Sequence, residues 1–268
     1  MMNTSFQEIL DRVKGLADTV TLQLPEDWMQ GRAGFGGLVG ALALKAMRGH
    51  VPDSRKVRSL MISFVAPVGP DDFSIQLSVL RSSKSVTHVR AEVVQEGSIR
   101  CVVLGSFGED RDSVIRFPPP SRLDMPGPEG IEDLPYIEGL TPAFTRHLVY
   151  RWAWGDLPFS GSDRGEIGGW FCFREAADCL SEEWLVALAD AWPTPALSML
   201  SAPAAASSLS WEMGFVHMDR PACSLDDWWS YHAVVDSAEN GYIHERASIW
   251  DAEGNLAAFS RQTAVVFA

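Results

Sequence analysis

Apolar and polar residues alternate along Thr19–Leu24, the two-residue period of a half-buried strand. Gly34–Met47 (GFGGLVGALALKAM) is instead a run of small and aliphatic residues and predicts a helix. Strand patterns follow at Val57–Phe64, Phe73–Arg81, Val86–Gln95 and Ile99–Phe107, the last two joined by the short turn Glu96-Gly97-Ser98. The same order then recurs. Gly168–Phe173 reads as a strand, and Glu183–Leu200 as a helix that Pro193 and Pro195 kink or end. Strands are predicted at Leu209–His217, Trp228–Ser237, Tyr242–Trp250 and Leu256–Phe267, with Asp251–Asn255 turning the final hairpin.

The two series can be laid over one another. His88 falls on His244 and Ala91 on Ala247, an offset of 156; one inserted residue in the hairpin then brings Gly97 onto Gly254 and Ile99 onto Leu256. A duplicated unit, one helix followed by antiparallel strands, explains the pattern. Between the copies, FPPPSRLDMPGPEGIEDLP carries six prolines and no period, as an extended connection would. The expected organisation is an N-terminal unit at 1–112, a proline-rich linker at 113–141 and a C-terminal unit at 142–268, an α+β fold of two tandem units. Glycines 36, 37 and 40 each cost a helix roughly 1 kcal/mol relative to alanine, so their presence suggests a helix closely wrapped by a curved sheet. The glycine-rich start, Gly36 and Gly37 in particular, also offers unpaired N–H groups to an anion or a polarised carbonyl.

Composition narrows the function. The 268 residues are 46% hydrophobic and 21% charged, as in ordinary globular proteins, and no stretch is long and apolar enough to predict a membrane span. The N-terminal MMNTSFQEILDRVKGL reads as a polar-faced helix rather than a signal peptide. Cys101, Cys172, Cys179 and Cys223 are widely spaced, which fits a reduced, cytoplasmic protein. A net charge of −13 argues against nucleic acid as a partner. Residues 151–268 hold 6 Arg, no Lys and 17 acids, so an anionic ligand would place its phosphates on the first half, with Arg81, Lys84 and Arg90 as candidates.

Familiar catalytic motifs are missing. There is no G-x-S-x-G elbow, Walker A loop or H-E-x-x-H, and the glycines at 34, 36, 37 and 40 miss the dinucleotide fingerprint. No histidine pair has metal-ligand spacing on one helix, so neither metal nor cofactor is expected; His88, His232 and His244 within strands read as structural. Nine of the ten tryptophans lie in the second half, as core bulk or as a flat wall for an acyl chain.

Taken in order, GFGGLVGALALKAM, SLMISFVAPVGP and VRAEVVQEGSIRCVVLGSFG, then GGWFCFRE, LVALADAWPTPAL, Met213–Phe215, DDWWSY and EGNLAAFSRQTAVV, resemble a TesB-type acyl-CoA thioesterase over nearly the whole chain. The resemblance implies a double hotdog fold, two helices each wrapped by an antiparallel sheet. It also implies hydrolysis of acyl-CoA, and assembly as a homodimer or homotetramer. The family activates water with an Asp, a Ser/Thr and a Gln of the second half. Gln262 matches that Gln, whereas its first-half counterpart is Gly105, which implies one site per chain. The family Asp falls on Ser210 and the family Ser/Thr on Asp236, an exchange of carboxylate and hydroxyl. Asp190 matches a further helix Asp. The expected roles are Asp236 as base, Gln262 as water-orienting group and Ser210 as supporting hydroxyl. Asp190 is the alternative base, since burial would raise its pKa toward neutrality. The competing reading is a non-hydrolytic acyl-CoA or acyl-carrier binding protein; a hydratase ranks last, for want of its Asp/His pair.

Overall fold

The computed structural model describes residues 3–14, 17–175, 181–216 and 227–267. His217, Cys179 and Cys223 lie outside them. Helix α1 (Phe6–Leu10) precedes strand β1 (Thr19–Leu22) and a small ribbon, β2 (Met29–Gln30) with β3 (Ala33–Gly34). Helix α2 (Gly36–Arg48) leads into β4 (Lys56–Phe64), β5 (Phe73–Ser82), β6 (Val86–Gln95) and β7 (Ser98–Gly108). The second half runs β8 (Leu148–Gly155), β9 (Glu166–Phe173), α3 (Glu182–Ala189), β10 (Ala205–Phe215), β11 (Trp229–Glu239), β12 (Tyr242–Trp250) and β13 (Leu256–Phe267).

All strands except the ribbon join one antiparallel, 11-stranded sheet ordered β1-β5-β6-β7-β4-β10-β13-β12-β11-β9-β8. The first half reads β1-β5-β6-β7-β4; the second mirrors it as β10-β13-β12-β11-β9 with β8 added at the edge, and the halves meet where β4 pairs β10. Irregularities recur at matching places. The ladder slips between Val79 and Arg81 and again, 156 residues on, between Val235 and Ser237. It slips between Val93 and Val94 and between Ile249 and Trp250, and likewise between Val57 and Ser59 and between Ser208 and Ser210. Bulges re-aim side chains and are built-in features of a strand. Three of them in equivalent positions carry the repeat where identities do not.

The helices pack antiparallel on one side of the sheet, and the glycines permit it. A Cβ at Gly40 would stand 3.1 Å from Val186, and one at Gly37 would stand 3.0 Å from the Ala187 carbonyl oxygen. The far ends are tied by Arg48, whose Nε donates to Glu182 Oε2 at 2.7 Å, while Glu182 Oε1 accepts the Val57 N–H at 2.8 Å. A cation at the C-terminal end of α2 thus meets an acid at the start of α3, the arrangement both helix dipoles favour. Glu182→Gln is expected to destabilise the fold by about 2 kcal/mol, read as a lower midpoint in urea without a change in slope. Helix α1 anchors the same region: Phe6 packs on Trp28, Phe173 and Trp184.

Three expectations need correction. The second helix stops at Ala189 rather than Leu200: Asp190 turns out of helix geometry (φ −104°, ψ 2°), and Thr194 caps a separate 3-10 turn, Pro195–Met199. It is therefore a short helix, 8 residues against the 13 of α2. The edge strand β8 was not expected from the pattern; its LVYRWAWG run breaks strict alternation at Trp152–Trp154 with a register slip. The proline-rich segment is irregular as expected, yet it is bound to the second half: the indole N–H groups of Trp170 and Trp250 donate to the carbonyls of Pro126 and Pro120 at 2.8 and 3.2 Å, and the Leu134 N–H donates to Tyr150. Among the described residues no helix is long and apolar enough to cross a membrane.

Candidate functional site

Where α3 ends, its last carboxylate meets the first turn of α2. Asp190 accepts the backbone N–H of Gly37, and a Cβ on Gly36 would lie 2.7 Å from Asp190 Oδ2, so glycine is what lets the carboxylate approach the helix start. Those first-turn N–H groups lack intrahelical partners and carry the positive end of the dipole, which suits an anion. From β13, Gln262 Nε2 donates to Asp190 Oδ1 at 3.0 Å. From β10, the Ser208 hydroxyl donates to Gln262 Oε1 at 2.8 Å. The amide oxygen faces Ser208 and its nitrogen faces the acid, the orientation that an ionised carboxylate, which can only accept, requires. Burial pushes the Asp190 carboxyl up to about 7, against the pull of the Gln262 and Gly37 hydrogen bonds. The residue as a whole keeps some accessible area, but its carboxyl is enclosed; Gln262 and Ser208 are half-buried. The Tyr150 hydroxyl closes the neighbourhood by donating to the Ala191 carbonyl at 2.9 Å.

The structure thus brings together Asp190, Gln262, Gly36 and Gly37, four of the residues singled out in the sequence. It does not bring Asp236 or Ser210 to them. Asp236 sits on the bulge of β11, exposed on the opposite face of the sheet, where it pairs with Arg246 and lies 3.9 Å from Arg261. Ser210 is exposed on that same outer face, in a groove with Met61, Leu104, Arg261 and Thr263. Plain alternation accounts for both: Ser210 lies three residues from the buried Met213 and Asp236 three from the buried Ala233, so each falls on the outer face. Between Ser208 and Ser210 the ladder gains a residue, the alternation turns over, and Ser208 points to the helices. Asp236→Ala is therefore expected to change kcat less than about twofold, measured beside the wild type. Arg81 and Lys84 are exposed at and just beyond the end of β5, and Arg90 lies 3.7 Å from Glu92. None of the three is in contact with Asp190 or Gln262.

The first half shows what the second has gained. Gln262 corresponds to Gly105, where a Cβ would meet Met47 Sδ at 2.7 Å. Ser208 corresponds to Val57. Where one half sets an amide against a carboxylate, the other sets backbone against a thioether. Outside the pocket the halves stay alike: His88 bonds Ser106 at 3.1 Å and His244 bonds Thr263 at 3.2 Å, both on the outer face.

Family models match both halves separately: an acyl-CoA thioesterase N-terminal domain over residues 24–108 and an acyl-CoA thioesterase C-terminal domain over residues 128–266. The chain belongs to the acyl-CoA thioesterase family, a family of thioester hydrolases. Solved structures extend the likeness to the whole fold. A hot dog fold protein from Alicyclobacillus acidocaldarius superposes with a TM-score of 0.87 at 18% identity, covering 100% of this chain and 99% of that one. The acyl-CoA thioesterase II TesB2 of Mycobacterium marinum gives 0.76 at 18% identity over 98% of each chain. A tesB protein of Mycobacterium avium subsp. paratuberculosis gives 0.78 at 16%, covering 98% of this chain and 100% of that one. No curated protein matches in sequence. At these identities the structures speak for a hot dog fold, and the family models for the kind of enzyme.

Proposed function

We propose that the protein hydrolyses acyl-CoA to free acid and CoA at one site per chain, on a double hotdog scaffold with units at 1–112 and 142–268 and the proline-rich segment strapped between them. The observation that carries this reading is the contact of Gln262 with Asp190 at the start of α2. Asp190 is the general base: it takes a proton from water as the oxygen attacks the thioester carbonyl. Gln262, held by Ser208, orients that water and keeps the carboxylate in place. The first turn of α2 receives the oxyanion of the tetrahedral adduct, an interaction worth on the order of 3 kcal/mol per well-placed donor. Collapse of the adduct breaks the C–S bond, and the CoA thiolate leaves.

Thiol release from acyl-CoAs of graded chain length, followed with a thiol reagent, tests the reading. Turnover above background is expected for some chain length; none from two to sixteen carbons would end it. One observation favours the second reading, a non-hydrolytic acyl-CoA binding protein: the positions of the family Asp and Ser/Thr, Ser210 and Asp236, face away from the site. Calorimetric binding of acyl-CoA without its consumption would establish that alternative.

A further inference from the structure

Strand β12 brings a second acid to the helix side of the sheet. Glu245 is only 5% exposed and stands in register opposite Gln262. Its Oε2 accepts the hydroxyl of Thr194, four residues beyond Asp190, and the Thr194 oxygen in turn accepts the Ala196 N–H at 3.3 Å. The carboxyl is therefore clamped to the loop that leaves α3. The equivalent position in the first half is Val89, fully buried, so the fold itself does not require an acid there. The hydrolysis described above leaves Glu245 without a task.

We infer that Glu245 is a positioning residue for that hydrolysis: held by Thr194 on the loop that follows Asp190, and in register with the Gln262 that bonds Asp190, it sets its charge against the base and so decides when Asp190 is free to accept a proton from water. This inference rests on the reading of Asp190 as the base. The groups facing Glu245 are Asp190 from the end of α3, Tyr231 from β11, Thr194 from the following loop and Gln262 from β13. No cation is among the charges that act on either carboxyl. Burial lifts Glu245, like Asp190, to about 7, the Asp190 charge pushes it the same way, and the Thr194 hydrogen bond opposes both. Two acids whose charges act on one another ionise in turn, and the first charge delays the second.

The test is the pH dependence of kcat/KM for Glu245→Gln against the wild type, with a carbon-13 NMR titration of the Asp190 carboxyl in both proteins. Without an anion at 245, Asp190 ionises more readily, so its titration and the acid limb of activity move about 0.5 to 1 pH unit lower. Thr194→Val, which deprives Glu245 of the bond that favours its charge, is expected to move both the same way, while Glu245→Asp restores the wild-type limb. A structural role alone would lower activity at every pH without moving the limb. An Asp190 titration that stays in place in both Glu245→Gln and Thr194→Val overturns the inference. A wild type that releases no thiol would sink the thioesterase reading instead, and the NMR titration would still decide the coupling.

Discussion

Replacing Asp190 with Asn is expected to lower kcat about a thousandfold, close to 4 kcal/mol of transition-state stabilisation. The substitution keeps size and shape. It retains an oxygen able to accept from the Gly37 N–H or from Gln262, so the helix junction stays closed. What it removes is the ability to take a proton. The wild type should carry the signature of that group: with the carboxyl lifted to about 7, kcat/KM rises roughly tenfold per pH unit below neutrality and levels off above it. Stability should run the other way. The folded pKa of Asp190 lies above its unfolded value of 3.8. The folded chain therefore holds a proton the unfolded chain has lost between about 4 and 7, and stability falls as pH rises through that window. Asp190→Asn never charges, so its melting temperature relative to the wild type should be more favourable at pH 8 than at pH 4. Steady-state kinetics and thermal melts at both pH values check the two halves of this expectation. A variant within tenfold of wild-type kcat would dismiss Asp190 as the base.

The order of elements was legible in the sequence because each strand keeps its period and each half repeats the other. Most strand ends fell within one to four residues of the pattern, and Gln262 stood out because it matches the Gln of the family that the chain resembles. The site was legible in part. A period-two reading assumes an unbroken ladder, and at Ser208–Ser210 and Val235–Ser237 the ladder is broken by bulges. The bulge in β10 turns Ser208 toward the helices, and so Ser208 was overlooked. Ser210 and Asp236 were placed in the site by their match to the family's positions, although alternation from Met213 and Ala233 sets both on the outer face. Glu245 was missed for another reason. Its strand sets it on the same face as Ile243, Ala247 and Ile249, and the matching Val89 in the first copy is buried, so an acid in an interior slot was the signal passed over. Comparing the copies position by position, slot by slot for an apolar residue replaced by a polar one, was the available signal. The helix end shows the opposite case: Pro193 and Pro195 announced a break, but not that the break would leave Asp190 facing the first turn of α2.

Gln262→Ala is expected to cost about a hundredfold in kcat, roughly 2.7 kcal/mol, as for loss of one well-aimed polar group in a water-poor site. Two consequences of the lost amide separate this from simple damage. Ser208 loses its acceptor and Asp190 loses a hydrogen bond that favours its charged form, so the acid limb of kcat/KM should move to higher pH. That displacement is opposite in sign to the one expected from Glu245→Gln, which removes an opposing charge instead of a supporting donor. The pair of profiles therefore tests the wiring of the site as well as its membership. The first half provides the control in nature: Gly105 stands in place of the amide, and the space a side chain there would fill is taken by Met47 and Phe107. A variant of Gln262 that kept full turnover, or whose acid limb stayed where the wild type has it, would mean that the amide supports the strand and not the chemistry.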